Sequence, residues 1–517
     1  MLTETETETV SETETGIDTE VVVAGAGPTG LMLAYELALA GVETLVLEKL
    51  ERRIEQVKGG GIQPRTAELL ESRGLLEPLL RRAVGHEPVG GHFAALPVPL
   101  DCAPWRTRHP FPIAIPQWEI EAVFEERAIA AGARVVRGTA VSGVASDDDG
   151  VVVMTAGGPQ VRGRYLAACD GGRSTVRKLL GLPFPGRPGT HQAVLADIRL
   201  STVSSLVPSR VGHMSDLTRH AGGYWAVLVP LGGDQYRFTF GRTGQADETD
   251  RTDDNRDTPV TPQEITAALQ AVYGPEATLG AVDNASRFTD ATRQLEHYRT
   301  GRVLFAGDAA HIHPPLGGQG VNLGIQDAFN LGWKLAAVVQ DRAPSGLLDS
   351  YHAERHPAGA QVLHHTSAQR VLAAPNPSED VAALRDIFTD LLRLPDTNRH
   401  LAGLMSGLSL GYELPGEHPL TGRRIPDADL VTERGSTRLS TLFGAGHAVL
   451  LDLAGTVPAG LRLPPRVDLV RAACTDDLGA AALLIRPDGY VCWAGDGSAV
   501  RGDTLRAAIT GDVAAVH

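Results

Sequence analysis

Between Val21 and Leu47 the apolar positions fall into two tight runs separated by a stretch of helical spacing. Val21-Val22-Val23-Ala24 is a continuous apolar run of strand length, Leu31–Ala40 has the length and spacing of a helix, and Thr44–Leu47 is a second short run. This order predicts a βαβ unit with buried parallel strands. Further on, Arg65–Arg73 reads as a helix ended by Gly74, and Gln117 to about Ala131 as an amphipathic helix stopped by Gly132. Between them a Pro-rich stretch, Pro88 to Pro116, embeds Phe93, Trp105 and Phe111 and suits an excursion into another layer. Arg134–Arg137, Val151–Thr155 and Val161–Ala168 follow as strands, with Asp147-Asp148-Asp149-Gly150 as the hairpin turn between two of them.

From Leu182 to Asn284 the pattern changes to alternation, as in Tyr224–Pro230 and Tyr236–Gly241, with a turn at Gly232-Gly233 and an acidic loop, Asp247–Asp257. This predicts a mainly antiparallel sheet inserted between two parts of the first domain. Val303–Phe305 returns to a short buried strand, followed by a helix from about Val321 to Gln340 and helical sequence to roughly His400. His447–Leu453, Val467–Ala473 and Ala481–Ile485 then form a separate α/β pattern. At the other end, the alternating Thr and Glu of residues 3–15 have almost nothing to bury and predict a disordered tail. The expected division is 1–16 tail, 17–181 first part of a Rossmann-like domain, 182–284 inserted sheet, 285–400 second part with helices, and 401–517 C-terminal domain.

Composition narrows the partners. A formal net charge of −15 disfavours nucleic acid and anionic membrane surfaces and leaves a small molecule as the expected partner. No stretch approaches eighteen consecutive apolar residues, and the N-terminus lacks a secretory layout, so a soluble protein, monomer or homodimer, is expected. Cys102, Cys169, Cys474 and Cys492 stand far apart, which fits reduced thiols in a cytoplasm. His311-x-His313 and His364-His365 lack ligands at metal spacing, so no metal is expected.

Candidate chemistry begins at Gly25-Ala26-Gly27-Pro28-Thr29-Gly30, between the first strand and helix. Gly25 permits a tight bend, Gly27 lets backbone approach a pyrophosphate, and Gly30 lets helix and strand pack closely, while the helix N-terminus offers free N–H groups. Glu48, closing the second strand, is placed to accept hydrogen bonds from an adenosine ribose. A second motif, Asp170-Gly171-Gly172-Arg173-Ser174-Thr175-Val176-Arg177, follows a strand. A third runs from Gly307-Asp308-Ala309-Ala310-His311 through Pro314-Pro315-Leu316-Gly317-Gly318-Gln319-Gly320-Val321-Asn322. Asp308 can accept hydrogen bonds from ribityl hydroxyls, and the helix starting at Gly320–Asn322 can turn its positive end toward a flavin edge that gains charge on reduction.

In order and sequence these three motifs resemble the class A flavoprotein aromatic hydroxylases, with the para-hydroxybenzoate hydroxylase fold, over most of residues 20–400. The resemblance implies an α/β fold with a Rossmann-like FAD-binding domain, an inserted β-sheet substrate domain and, from Leu483–Trp493, a thioredoxin-like C-terminal domain without its redox cysteine pair. It implies FAD held by Gly25, Gly27, Pro28, Thr29, Gly30, Glu48, Lys49, Lys58, Arg65, Gln117, Asp170, Asp308, Pro315, Gly318, Gly320, Val321 and Asn322. The backbone of Pro314, Pro315 and Gly317 would lie at the reactive flavin face. Two assignments keep alternatives, and a third departs from the family's pattern. Asp170 can instead cap the next helix while Arg177 pairs with an exposed carboxylate. Arg65, expected near the isoalloxazine entrance, fits equally a surface arginine. Lys58 stands where many relatives carry arginine and lacks its bidentate fork. Gln117 belongs to the family's Q-x-x-x-E pattern with Glu121.

No second G-x-G-x-x-G follows a strand, so NAD(P)H, with NADPH favoured, has to bind without a domain of its own. The implied reaction is hydroxylation of a polycyclic aromatic, polyketide-type phenol by O2 through a flavin C4a-hydroperoxide. Baeyer–Villiger oxygen insertion and a non-catalytic flavin or small-molecule binding protein are the alternatives.

Overall fold

The computed structural model describes residues 17–55, 60–83, 88–244, 258–458, 460–496 and 502–509. The expected tail, the acidic loop Asp247–Asp257 and Lys58 lie outside them. Strand Ile17–Ala24 leads through the glycine turn into helix Pro28–Leu39 and strand Thr44–Leu47. Five parallel strands form the centre of the first sheet, in the order Val303–Phe305, Val161–Ala168, Ile17–Ala24, Thr44–Leu47, Arg134–Val136. An antiparallel extension, Val141–Ser146 with Val151–Thr155, joins at Val161–Ala168. Parallel strands covered on both faces need apolar side chains throughout, and Val21, Val22, Val23, Leu45 and Val46 are all fully buried.

Helix Gly320–Val339 is buried almost along its whole length. It packs closely on helix Pro28–Leu39 because two glycines remove side chains from the contact. A Cβ on Gly324 would lie 2.2 Å from Thr29 Oγ1, and one on Gly332 would lie 2.5 Å from Glu36 Cβ. Both helices begin at the same glycine-rich edge of the sheet, so their N-termini open on one space.

The inserted unit is a five-stranded antiparallel sheet in the order Thr278–Thr289, Gln192–Thr202, Gln235–Arg242, Tyr224–Gly232, Thr218–Ala221. Its last strand continues to Thr289, past the boundary expected at 284. Alternation sorts its side chains. Ala226, Leu228, Phe238 and Phe240 pack under helix Pro262–Tyr273, while Trp225, Val227, Val229 and Thr239 face the first domain. The C-terminal region forms a six-stranded mixed sheet, with Ala448–Asp452 and Val467–Cys474 as its parallel pair. Among the described residues no helix is long and apolar enough to cross a membrane.

Candidate active site

A single cavity of about 1330 Å³ runs from the glycine turn of the first strand to the inner face of the antiparallel sheet. A pocket for one small ligand occupies roughly 300–1,000 Å³, so this space has room for a dinucleotide and a second ring system beside it. The three motifs meet there although they are separated by well over a hundred residues. Strand Val161–Ala168 sits between Ile17–Ala24 and Val303–Phe305, which brings Asp170 and Asp308 to the same sheet edge as Gly25.

The turn is built for close approach. Gly25 has φ +102°, and a Cβ there would meet the Cys169 carbonyl oxygen at 2.5 Å. A Cβ on Gly30 would lie 2.0 Å from the Gly25 oxygen, so Gly30 lies beneath the turn, off the cavity. Gly27 has open space where a side chain would be, and it caps helix Pro28–Leu39 without any side-chain hydrogen bond. Pro28 and Thr29 line the cavity beside it. Glu48 fixes the loop, its two carboxylate oxygens accepting from Ala26 N at 2.8 Å and Leu50 N at 2.9 Å, and it lines the cavity together with exposed Lys49. Gln117 donates to Glu121 Oε1 at 2.8 Å on the same wall.

Asp170 caps the next helix, as one reading of the sequence expected, and keeps one oxygen free. Oδ2 accepts from Thr175 N and Val176 N and caps the short helix that follows, whereas Oδ1 is buried without a hydrogen-bond partner at the cavity wall. Arg177 does not pair with an exposed carboxylate. It donates to the carbonyls of Ala309 and Gly172 and stacks 3.8 Å over the Phe184 ring, joining the second motif to the third. Asp308 is exposed into the cavity. Pro314, Pro315, Gly317, Gly318, Gly320 and Val321 continue the same wall. Helix Gly320–Val339 starts from Gln319 with no side-chain cap, which leaves its first N–H groups open.

Besides Gly30, two expected contacts take other places. Asn322 is buried behind the wall, where its Nδ2 donates to the Gly61 and Gly318 carbonyls at 2.9 Å each and its Oδ1 accepts from Gln63 N at 2.7 Å. Its side chain joins the two loops around the cavity. Arg65 is corrected outright, both as a cofactor contact and as a surface arginine. Its side chain is 3% exposed, and it donates to Glu68 at 3.0 Å and the Asp488 carbonyl at 2.8 Å under the Tyr490 ring. The apolar face of helix Pro64–Ser72 turns Arg65 toward the C-terminal domain, away from the cavity.

Sequence reasoning passed over three polar groups of the cavity. His313 is half-buried, and desolvation pushes its imidazolium below the usual range. Its Nδ1 lies 2.8 Å from the Pro314 carbonyl, and its Nε2 has no partner. Burial likewise pushes His92 down to about 4, so it is neutral at physiological pH. Arg237 stands on the cavity face of the antiparallel sheet beside Asp197. Only Arg237 had a usable signal, the alternation of Gln235–Arg242, which puts it on the face opposite Phe238.

These residues fit FAD. An uncapped helix end with open space at Gly27 suits a pyrophosphate, the free Asp308 carboxylate suits ribityl hydroxyls, and the unpartnered Asp170 oxygen can accept from the cofactor. A second open helix end at Gly320–Val321 suits an electron-accepting ring edge. Among the described residues no cluster of His, Cys, Asp and Glu is arranged to hold a metal.

The comparisons agree with this geometry. Residues 18–366 match the FAD binding domain family model and residues 418–512 the aromatic-ring hydroxylase C-terminal model. The chain is 47% identical over 489 residues to the 12-dehydrotetracycline 5-monooxygenase/anhydrotetracycline 6-monooxygenase of Streptomyces rimosus, covering 92% of this chain and 95% of that one. The solved anhydrotetracycline hydroxylase from Streptomyces rimosus superposes with TM-score 0.84 at 45% identity, covering 96% and 99% of the two chains. An aromatic hydroxylase from angucycline biosynthesis matches with TM-score 0.84 at 39% identity over the same shares.

Proposed function

This chain belongs to the FAD-dependent aromatic-ring hydroxylases, and from that premise we propose that it hydroxylates a polycyclic aromatic phenol of polyketide type, with O2 and with NADPH as reductant. The observation that carries the reading is the continuity of the cavity. Asp170, Asp308 and the two helix ends occupy one part of it, and the apolar sheet face of Trp225, Val227, Val229 and Leu231 lines another. FAD, when bound, supplies the redox chemistry and the activation of oxygen. The chain's own residues hold and orient it, and their apolar wall excludes water that would divert the reaction. Asp308 and the free N–H groups at Gly320–Val321 would grip the cofactor, and Pro314 and Pro315 line the cavity beside them, where the substrate ring would lie. Tetracycline- and angucycline-type ring systems suit the space, and ring hydroxylation is the outcome we assign because the structural neighbours from those pathways are hydroxylases.

The test is NADPH consumption by the FAD-reconstituted protein with anhydrotetracycline and with angucyclinone phenols, followed by product mass. Stimulated consumption with a product heavier by one oxygen atom is expected. A protein that binds FAD but responds to no polycyclic phenol would overturn the substrate assignment, and faster turnover with NADH would overturn the choice of reductant.

A further inference from the structure

The cavity face of the antiparallel sheet carries one buried ion pair among its mainly apolar side chains. Arg237 lies there, directly across from Asp197 on one neighbouring strand and from Val229 on the other. The side chains are 12% and 7% exposed, and Arg237 Nε donates to Asp197 Oδ1 at 3.0 Å. That is the only hydrogen bond of this guanidinium among the described residues. Its Nη2 is buried without a partner, as is Asp197 Oδ2, while its Nη1 lies 2.7 Å from where a Cβ on Gly60 would stand. The cation therefore reaches from the substrate sheet to the glycine loop at the flavin side of the cavity.

A buried ion pair with a single hydrogen bond is a poor device for stability. Desolvation costs several kcal/mol per ion, and the interaction offsets this only when the remaining N–H groups and lone pairs are also satisfied. Here they are not, and an unsatisfied group buried at a cavity wall points to a ligand that completes it. A guanidinium is matched by an oxygen that carries negative charge. The surroundings add cations, since Arg242 and Arg385 also line the cavity, while Arg370 lies 3.6 Å from Asp290, a carboxylate already bonded to Arg187.

We propose that Arg237, oriented by Asp197, anchors the aromatic substrate through an ionised enol or phenol oxygen. The proposal deepens the hydroxylase reading and rests on it, because it takes this cavity as the substrate site. It also defines the substrate class, namely polycyclic systems with an oxygen acidic enough to bind as the anion. Such an oxygen feeds electron density into the ring to be hydroxylated.

Binding measured without turnover tests it. Lawsone, a hydroxynaphthoquinone ionised at neutral pH, and its O-methyl ether are titrated into the FAD-loaded wild type, Arg237→Gln and Arg237→Lys, with the flavin absorption spectrum as the readout. The wild type should bind the anion about tenfold more tightly than the ether, the size expected of one charge-assisted hydrogen bond. Arg237→Gln should abolish the ratio and Arg237→Lys should restore part of it, with FAD affinity unchanged in both. Equal binding of the two probes by the wild type, or a ratio that survives in Arg237→Gln, overturns the anchor. Neither result depends on NADPH consumption, so failure of the hydroxylase assignment is read separately.

Discussion

Replacing Gly27 by valine should weaken FAD binding about a hundredfold and leave the apo fold almost intact, whereas replacing Gly30 by alanine should damage the fold itself. Gly27 has φ −80° and ψ −179°, extended backbone open to any residue, and nothing lies within 4 Å of its missing Cβ. The apo cost is then limited to a weaker helix cap, under about 1 kcal/mol, and is partly offset by a less flexible unfolded chain. The valine does, however, fill the approach to the uncapped N–H groups of helix Pro28–Leu39. Loss of two charge-assisted bonds to a pyrophosphate, about 1.5 kcal/mol each, weakens FAD by roughly a hundredfold. With FAD at a hundred times its wild-type dissociation constant, the ligand-linked stabilisation should fall from about 2.7 kcal/mol to about 0.4 kcal/mol. Gly30→Ala places its methyl 2.0 Å from the Gly25 oxygen, and helix and turn have to separate by about an ångström. Overpacking of this kind costs about 1–3 kcal/mol with or without cofactor. Thermal unfolding of apo and FAD-loaded samples separates the two effects. If the Gly27 variant lost as much apo stability as the Gly30 variant, or gained as much from FAD as the wild type, the assignment of Gly27 to the pyrophosphate would be wrong.

Three further outcomes follow from the same geometry. Asp308→Asn should leave the apo melting temperature unchanged, since its side chain makes no hydrogen bond among the described residues, and should raise the FAD dissociation constant about tenfold, as read by flavin fluorescence. Arg65→Ala should do the reverse, lowering stability by about 1–3 kcal/mol because Glu68 Oε2 and the Asp488 carbonyl lose their donor while Arg424 still pairs Glu68 Oε1, and FAD affinity should stay within about twofold. Glu354→Gln should destabilise by about 3–5 kcal/mol and change the acid limb of unfolding. Burial opposes ionisation of Glu354, but Arg486 and Lys334 outweigh it and hold its carboxyl well below the usual range. An acid depressed by folding contributes fully above its unfolded pKa of about 4.3 and loses that contribution as pH falls toward the folded value. The wild type should therefore lose stability below about pH 4 more steeply than the variant in chemical unfolding.

Elements bounded by turn residues and filled by short apolar runs were legible in the sequence. Thr44–Leu47, Val151–Thr155 and Val161–Ala168 are strands over the very residues expected, because in each a local run coincides with burial on the sheet. The candidate site was legible where chemistry and chain order go together, as at Gly25–Gly30 and Gly307–Val321. What stayed hidden depends on pairing across long separations. The helix Leu347–Leu372 carries Glu354 and Arg355 with no local sign that they are buried, and their partners lie on Lys334, Asp327 and the C-terminal Arg486. Asp327 is fully buried and accepts from the Gly307 backbone N, His311 and Arg355, holding the strand end that presents Asp308. No spacing rule links position 327 to 307. Arg65 was misplaced for the same reason, since its partner at Asp488 is four hundred residues away.

That long-range network gives the C-terminal domain a physical role in a protein where its cysteines cannot form a redox pair. The turn Arg486–Gly489 enters the first domain, with Arg486 donating to both oxygens of Glu354 at 2.8 and 2.7 Å. Arg73 donates to the carbonyls of Pro487 and Phe443 while it binds both Glu36 oxygens, and Arg65 reaches the Asp488 carbonyl. A buried charge network adds little net stability over apolar packing, but its geometry is satisfied in one docking arrangement only. Arg65 and Arg73 sit at the two ends of helix Pro64–Ser72, and the residue before that helix, Gln63, bonds Asn322 through its backbone and the Gly317 carbonyl through its side chain. The docked domain thus holds the helix whose first residues join the Gly61 loop to the Gly317–Gly320 wall. By this chain of contacts the C-terminal domain is joined to two sides of the cavity.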